Sequence, residues 1–323
     1  MRLGVLDVGS NTVHLLLIDG SPGARPEPYA SHKIPLQLVQ YLDAEGNISQ
    51  EGADALTRFV TSARDFAIEN EAEDLLAFST SAIREAGNGA AVLHQVREQT
   101  GVSLNGISGD QEAAITYFAV RHWQGWGAAR ILDFDIGGGS FEISIGTNAM
   151  PDAARSVPLG AGRLTREFFD VQPPKPKQVQ RLRKYVREQI APVAENLLQY
   201  GTPDMTVGTS KTFRSLARIC GAAPYSAGPH VKREMHLQDL RLWTRRMEAM
   251  TVSERADLPG VSKARAEQML AGAIAAEAAM EAFGIETMRV CPWALREGLI
   301  LKRIEHLAEG TGTPVNPKTL LGA

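Results

Sequence analysis

The sequence predicts an α/β chain built from a duplicated half, on three observations. A strand–turn–strand pattern with an acid ahead of the turn occurs twice, as LDVGSNTVHLLLI (6–18) and FDIGGGSFEISI (134–145). Each copy leads into alternating helical and strand-like segments. The 323 residues, 44% of them hydrophobic, suffice for about two buried cores.

The elements follow in order. LGVLDV and TVHLLLID are apolar runs joined at Gly9-Ser10-Asn11, a hairpin pattern, and a third strand spans Pro28 to Val39. Ser49 opens an amphipathic helix to about Asn70, with Ala55, Phe59, Ala63 and Phe66 at helical spacing. LLAFST (75–80) reads as a buried strand, and Ser81 starts a helix that breaks near Gly87. After LNGIS (104–108), Ser108 and Gln111 have capping-box spacing, so a helix begins at about Gly109. The second unit opens with ARILDFDIGGGSFEISIG (129–146). VQPPKPKQ (171–178) reads as a connection without helix or strand. The remainder is mostly helical, including the alanine-rich 266–283, and EGTGTPVNPKTLLGA forms a loose tail.

Laid over each other, the two hairpins align Asp7 with Asp135, Gly9 with Gly137 and Thr12 with Ser140. Glycines let a backbone approach a ligand closely, and successive N–H groups make an anion-binding nest. One D-x-G turn is ordinary sheet structure. Two at domain scale imply paired phosphate-gripping turns across a cleft, each backed by a carboxylate able to hold Mg²⁺.

Composition excludes several classes. Lys and Arg total 34 against 37 Asp and Glu, a net charge of −3, which argues against a nucleic-acid coat. Cys220 and Cys291 cannot build a disulfide framework, and the seven histidines have no zinc-site spacing. No run of 18 apolar residues or targeting signal occurs, so a reduced cytoplasmic protein without a membrane partner is expected. Locally the balance shifts. Residues 43–74 hold nine acids against Arg58 and Arg64, and residues 163–187 hold eight basic residues against Glu167 and Asp170. Both segments suit solvated helix faces; the second also suits a groove for a polyanion.

The duplicated hairpins resemble the phosphate loops of the actin, sugar-kinase and heat-shock-chaperone ATPase superfamily. Within it, seven segments are similar to those of the exopolyphosphatase/guanosine pentaphosphate phosphohydrolase (Ppx/GppA) family. They are LDVGSNTVHLLLID (6–19), TSAIREAGN (80–88), ISGDQEAAITYFAV (107–120), DIGGGSFE (135–142), VPLGAGRLT (157–165), GTSKTFRSLA (208–217) and WALREGLIL (293–301), in the family's order. The resemblance implies two ribonuclease-H-like, actin-like ATPase domains with a mixed sheet each and the active site in the interdomain cleft. Expected boundaries are 1–121, 122–310 with the last helix (Arg296 to Leu307) packing back on the first domain, and a flexible tail at 311–323. The implied activity is removal of the terminal phosphoryl group from polyphosphate or pppGpp, with Mg²⁺ or another divalent cation, by a homodimer. Longer relatives append a helical C-terminal region, so this short form is expected to handle short chains comparatively well.

The residue roles implied by the resemblance have their own chemistry. Phosphoanhydride hydrolysis needs water positioned and charge neutralised, with little covalent help. Glu112 takes the place of the family's catalytic glutamate, as general base, although an acid in a first helical turn is favoured by the macrodipole alone. Gln111 departs from the acid common beside it. Asp7, Asp135 and Glu142 are the expected metal-binding acids, with Asp135 also catalytic. Ser10, Asn11, Gly137, Gly138, Gly139 and Ser140 would cradle terminal phosphates. Arg84 would reach a phosphate bidentately. Gly208, Thr209 and Ser210 resemble a third turn, with Lys211 either a phosphate anchor or a helix-start lysine. Arg163, Arg166, Lys175, Lys177, Arg181, Arg183, Lys184 and Arg187 form a candidate polyphosphate track by the counterion-release argument, tilting the substrate towards polyphosphate. Three alternatives stay open. A pppGpp phosphohydrolase would need a guanosine pocket, a sugar or acetate kinase would need an adenosine motif that VGTSKTF matches poorly, and a non-enzymatic phosphate sensor would not need Glu112, Asp135 and Arg84 together.

Overall fold

The computed structural model describes residues 1–9, 12–21, 25–34, 36, 38–43 and 45–322. In chain order the strands and helices are β1 (Arg2–Val8), β2 (Val13–Asp19), β3 (Glu27–Ile34), α1 (Gln50–Glu69), β4 (Asp74–Ser79), α2 (Ser81–Arg84), α3 (Gly89–Thr100), β5 (Asn105–Gly106) and α4 (Gly109–Gln124). There follow β6 (Ile131–Ile136), β7 (Phe141–Gly146), β8 (Ala153–Val157), α5 (Ala161–Phe168), α6 (Pro176–Leu198), β9 (Met205–Gly208), α7 (Ser210–Ile219) and β10 (Glu234–His236). The chain ends with α8 (Leu237–Ala249), α9 (Val252–Ala256), α10 (Met269–Ala282), β11 (Thr287–Val290) and α11 (Leu295–Ala308). Among the described residues no helix is long and apolar enough to cross a membrane.

Two units result, Met1–Ser108 with Arg296–Ala323, and Gly109–Leu295. The first carries the sheet β3-β2-β1-β4-β5. β1 and β2 pair antiparallel, as do β2 and β3, whereas β4 runs parallel to β1 and β5 parallel to β4. Leu6, Val8, Leu15 and Leu17 pack against Leu56, Val60 and Val96 in one core. Helix α1 starts where Ser49 Oγ accepts from Gly52 N at 3.3 Å, as the sequence predicts.

The second unit repeats this order as β8-β7-β6-β9-β11, with β10 added antiparallel on the β11 edge. Again two antiparallel strands precede a parallel partner, β9 beside β6. The duplication read from two hairpins therefore extends to the sheets. Helix α10 is buried around most of its circumference; its alanines and Gly272 allow α5 and α7 to approach, a Cβ on Gly272 falling 2.7 Å from Thr212 Cγ2 and 3.2 Å from Ala161 Cβ.

Three local expectations change. The first unit ends at Ser108, not at residue 121, because α4 is fastened to the second sheet: Ser144 Oγ donates to the Ala113 carbonyl at 2.9 Å and Asp110 Oδ1 accepts from Ser156 N at 3.0 Å. The stretch expected as a bare connection contains a helix start, since Pro176 suits the first helical position and Gln178 Oε1 accepts from Lys175 N at 3.0 Å. The C-terminal residues are tethered rather than loose. Buried Asp74 accepts from Val315 N, and Arg303 binds both Asp74 and the Thr313 carbonyl.

Candidate active site

The candidate site of the second unit is built around the β6–β7 turn. Asp135 and Glu142 oppose each other in the antiparallel register, so both carboxyls project from one face. Gly137 N closes the turn on the Ser140 carbonyl at 2.9 Å. The turn's carbonyls are then consumed by the start of α5: Gly137 O accepts from Ala161 N (3.0 Å), Gly138 O from Arg163 N (2.9 Å), and Gly139 O from Gly160 N (3.3 Å) and Arg163 Nε (2.9 Å). The N–H groups of Gly138 and Gly139 make no hydrogen bond within the protein among the described residues. A turn with spent carbonyls and unspent N–H groups suits an anion. This explains VPLGAGRLT: a Cβ on Gly160 would lie 2.3 Å from the Gly139 carbonyl carbon.

Acids gather on the same face. Glu142 is only 3% exposed, and Ser156 Oγ donates to its Oε1 at 2.7 Å. Burial, then the charges of Glu112 and Asp135, push its carboxyl well above the usual range. Glu112, half-buried in the first turn of α4, is thus brought beside Glu142 and held there by the α4 contacts described above. Asp133, two residues before Asp135 and so on its face, is 2% exposed, and its Oδ1 has no hydrogen-bond partner. Burial, then the Asp135 charge, raise it well above an ordinary aspartate. Asp135 is half-buried. Burial raises its carboxyl, opposed by the Thr209 hydroxyl and the guanidinium groups of Arg214 and Arg265.

The third turn carries β9 into α7. Gly208 has no room for a side chain, a Cβ falling 2.5 Å from Met288 Sδ. Thr209 N donates to the Phe134 carbonyl at 2.8 Å and Thr212 Oγ1 to that of Ile136 at 2.9 Å, so the turn is sewn to β6. Ser210 has a left-handed φ of 64°, and its Oγ is buried. A non-glycine residue in that region is a strained feature held by its surroundings. Lys211 is exposed.

In the first unit, Gly9 N donates to the Thr12 carbonyl at 3.0 Å, the same closing bond as in the second. Ser10 and Asn11 lie outside the described residues. Asp7 Oδ2 accepts from Arg296 Nη2 at 3.0 Å, so the carboxylate expected to hold metal already neutralises a guanidinium. Arg84, at the end of α2, donates from Nη1 to the Ile107 carbonyl at 2.7 Å.

The eight-residue cationic track is broken. Arg183 binds Glu248 (2.8 Å) and Glu277 (2.9 Å), and Arg187 pairs with Glu281 (3.5 Å), tying α6 to α8 and α10. Helical periodicity causes this, because positions 183 and 187 share a face that 181 and 184 do not. Lys184 pairs with Glu188 and Arg163 with Glu167, while the Arg181 guanidinium lies over the Phe168 ring. Arg166, Lys175 and Lys177 are exposed and in no ion pair among the described residues.

Sequence reading passed over Asp133, Ser156, Arg214, Arg265 and Arg296. Period-two spacing from Asp135 marks Asp133, and helical spacing from Ser210 marks Arg214. Nothing local marks Ser156 or Arg265, which reach the second unit's acids only through its fold; Arg296 lies within WALREGLIL, and its pairing with Asp7 in the first unit is set by the fold.

A model of the Ppx/GppA phosphatase family matches residues 19–307. "Exopolyphosphatase 1" of Mycobacterium tuberculosis is 49% identical over 311 residues, covering 96% of this chain and 90% of that protein. A guanosine-5'-triphosphate,3'-diphosphate pyrophosphatase of Vibrio parahaemolyticus is 28% identical over 311 residues, 94% of this chain and 59% of that protein. Among solved structures, an exopolyphosphatase from Cytophaga hutchinsonii superimposes with a TM-score of 0.84 at 23% identity, covering 98% of this chain and 100% of that one. With this match across most of its length and the paired actin-like sheets, the chain belongs to the Ppx/GppA phosphatase family of phosphoanhydride hydrolases.

Proposed function

We infer that this protein is an exopolyphosphatase, releasing the terminal phosphoryl group of inorganic polyphosphate as orthophosphate. The observation that carries the reading is the β6–β7 turn, with unspent Gly138 and Gly139 N–H groups beside the acids Glu112, Asp135 and Glu142. The turn's N–H groups, with Ser140, bind the terminal phosphate oxygens, supported by the Gly208–Ser210 turn. Glu112 accepts a proton from the water as its oxygen bonds to the terminal phosphorus, and the anhydride bond to the rest of the chain breaks. The electron pair of that bond leaves with the shortened polyphosphate. Arg84 carries a guanidinium of the type that binds phosphate bidentately.

The donor set fits a hard divalent cation. Asp135 and Glu142 crowd like charges against Glu112, which such an ion relieves. Among the described residues no three His, Cys, Asp or Glu side chains converge as a cage, and Mg²⁺ is commonly held by one or two carboxylates, with water and substrate oxygens completing its shell. Asp135 and Glu142 are the residues that would hold it; bound there, it supplies neutralisation of phosphate charge.

Polyphosphate is favoured over pppGpp by the 49% identity to an exopolyphosphatase, against 28% to the pyrophosphatase. The exposed cations Arg166, Lys175 and Lys177 also suit a repeating anion. The pyrophosphatase relative supports pppGpp hydrolysis as the second reading, and a cytoplasmic site of action suits both substrates. The test is phosphate release from polyphosphate, pppGpp and ATP side by side, with and without Mg²⁺. Fastest turnover of polyphosphate is expected, and a clear preference for pppGpp would replace the reading with the second one.

A further inference from the structure

Asparagine is followed by glycine twice in this chain, at Asn88–Gly89 and Asn105–Gly106. The pair is reactive wherever it is free, because glycine has no Cβ to shield its nitrogen and lets the backbone turn that nitrogen towards the asparagine amide carbon. The fold treats the two pairs differently. Asn88, ahead of α3, spends both ends of its amide on Ile48: Oδ1 accepts from the backbone N and Nδ2 donates to the carbonyl, each at 2.8 Å. Gly89 N donates to the Ala86 carbonyl at 3.0 Å, and a Cβ on Gly89 would fall 2.2 Å from Ile83 O. Both reacting groups of that pair are committed.

Asn105 and Gly106 are both exposed and make up the whole of β5, the edge strand of its sheet. They pair only with Phe78 and Ser79 of β4. Ile107 N donates to Ser79 O at 3.4 Å, so alternation along the strand turns the Gly106 N–H outward, away from β4. A Cβ on Gly106 would meet nothing within 4 Å. The Asn105 amide is held at one end, Nδ2 donating to the Ala77 carbonyl at 3.0 Å, and its Oδ1 makes no hydrogen bond among the described residues.

We propose that Asn105–Gly106 is a site of spontaneous modification, and that the change unfastens β5 from β4. Hydroxide takes the Gly106 N–H proton, the nitrogen bonds to Asn105 Cγ, and the Cγ–Nδ2 bond breaks; the leaving nitrogen takes a proton from water and departs as ammonia. Water then opens the resulting succinimide. Attack at Cγ restores the peptide with an aspartate side chain. Attack at the Asn105 backbone carbonyl leaves the chain running through Cβ and Cγ, as isoaspartate with a free carboxylate. Either product replaces the Nδ2 donor by a carboxylate, which repels the Ala77 carbonyl that Nδ2 bound. Isoaspartate also adds one carbon–carbon bond, about 1.5 Å, to the main chain ahead of Ile107. A strand of two residues has no further ladder to hold its register. Ile107 O accepts from Arg84 Nη1 at 2.7 Å, so the change reaches that arginine as well.

The experiment ages the whole chain in warm buffer, mildly alkaline and mildly acidic, beside its Gly106→Ala variant and a synthetic peptide of residues 100–110. Peptide mass spectrometry reads the amide-to-carboxyl change at Asn105 and Asn88, chromatography separates aspartate from isoaspartate, and hydrogen exchange reads the Ile107 N–H. Asn105 should convert faster in alkali, yield isoaspartate, and outpace Asn88, which reacts only after local unfolding, by roughly tenfold or more. Exchange at Ile107 should quicken in step with conversion. Gly106→Ala, whose Cβ has open space and whose backbone is not left-handed, should melt with wild type and lose most of the conversion. An Asn105 that stays amidated in the folded chain while the peptide converts would overturn the proposal, as would conversion that leaves Ile107 exchange unchanged. Mass and exchange are read without substrate, so the outcome does not depend on whether the chain hydrolyses polyphosphate.

Discussion

Gly160→Ala isolates the positioning of the β6–β7 turn from every charge in the proposed site. Gly160 has φ −66° and ψ 143°, a conformation alanine adopts freely, so backbone strain plays no part. The added Cβ would meet only backbone: the Gly139 carbonyl carbon at 2.3 Å, Ser140 N at 2.4 Å and Gly139 N at 2.5 Å. Ordinary contact lies about 1 Å further out, so α5 and the turn must separate by roughly that amount. Overpacking of this kind costs ~1–3 kcal/mol, equivalent to about 2–12 °C in melting temperature for a domain of this size. A 1 Å displacement of groups that position substrate costs on the order of 10²-fold in turnover. The assay is phosphate release from polyphosphate with melting measured in parallel. Gly162→Ala, whose Cβ would be 3.0 Å from Gly138 O, should fall between wild type and Gly160→Ala, and Gly127→Ala, with nothing within 4 Å, should match wild type. Wild-type turnover and melting for Gly160→Ala would refute the idea that α5 sets the turn.

Three further outcomes are expected. Glu112→Gln should leave melting near wild type and lower kcat by about 10²–10⁴-fold; retention of more than about a tenth of kcat removes Glu112 as the base. Asp133 has its carboxyl raised above the unfolded value, so the stability it contributes is complete below about pH 4 and is lost as pH rises through the raised value. Asp133→Asn should therefore flatten the decline in melting temperature from acid to neutral pH, and parallel pH profiles for the two proteins would contradict the assignment. Arg303→Ala strands the carboxylate of Asp74, which is 0% exposed, and should cost ~3–5 kcal/mol in denaturant unfolding; a loss below about 1 kcal/mol would show Asp74 is otherwise satisfied.

The duplication was legible because a hairpin is local. Turn glycines, an acid before them and apolar runs on either side need only adjacent residues, and the Ser49 cap and amphipathic α1 are equally short-range. The cationic segment shows what a local pattern does not contain. Its eight charges are contiguous in sequence, but α6 turns Arg183 and Arg187 towards Glu248, Glu277 and Glu281, which lie 65 to 94 residues away in the chain. The same holds for Asp7, whose partner Arg296 is 289 residues distant. The division into units depends on contacts of the same kind. Whether α4 belongs with the strands before or after it depends on Ser144 and Ser156, which follow it.

By itself the sequence determined the paired strand–turn–strand halves and the residue types able to grip phosphate, since backbone freedom and hydrophobic period are properties of neighbours. The tertiary structure alone decided which of those groups remain available. It spends the glycine turn's carbonyls on α5, commits Asp7 to Arg296, and brings the charges of Arg214 and Arg265 to bear on Asp135. Compensation of charge and hydrogen bonding is set by distance in space, and a linear order of residues does not contain it.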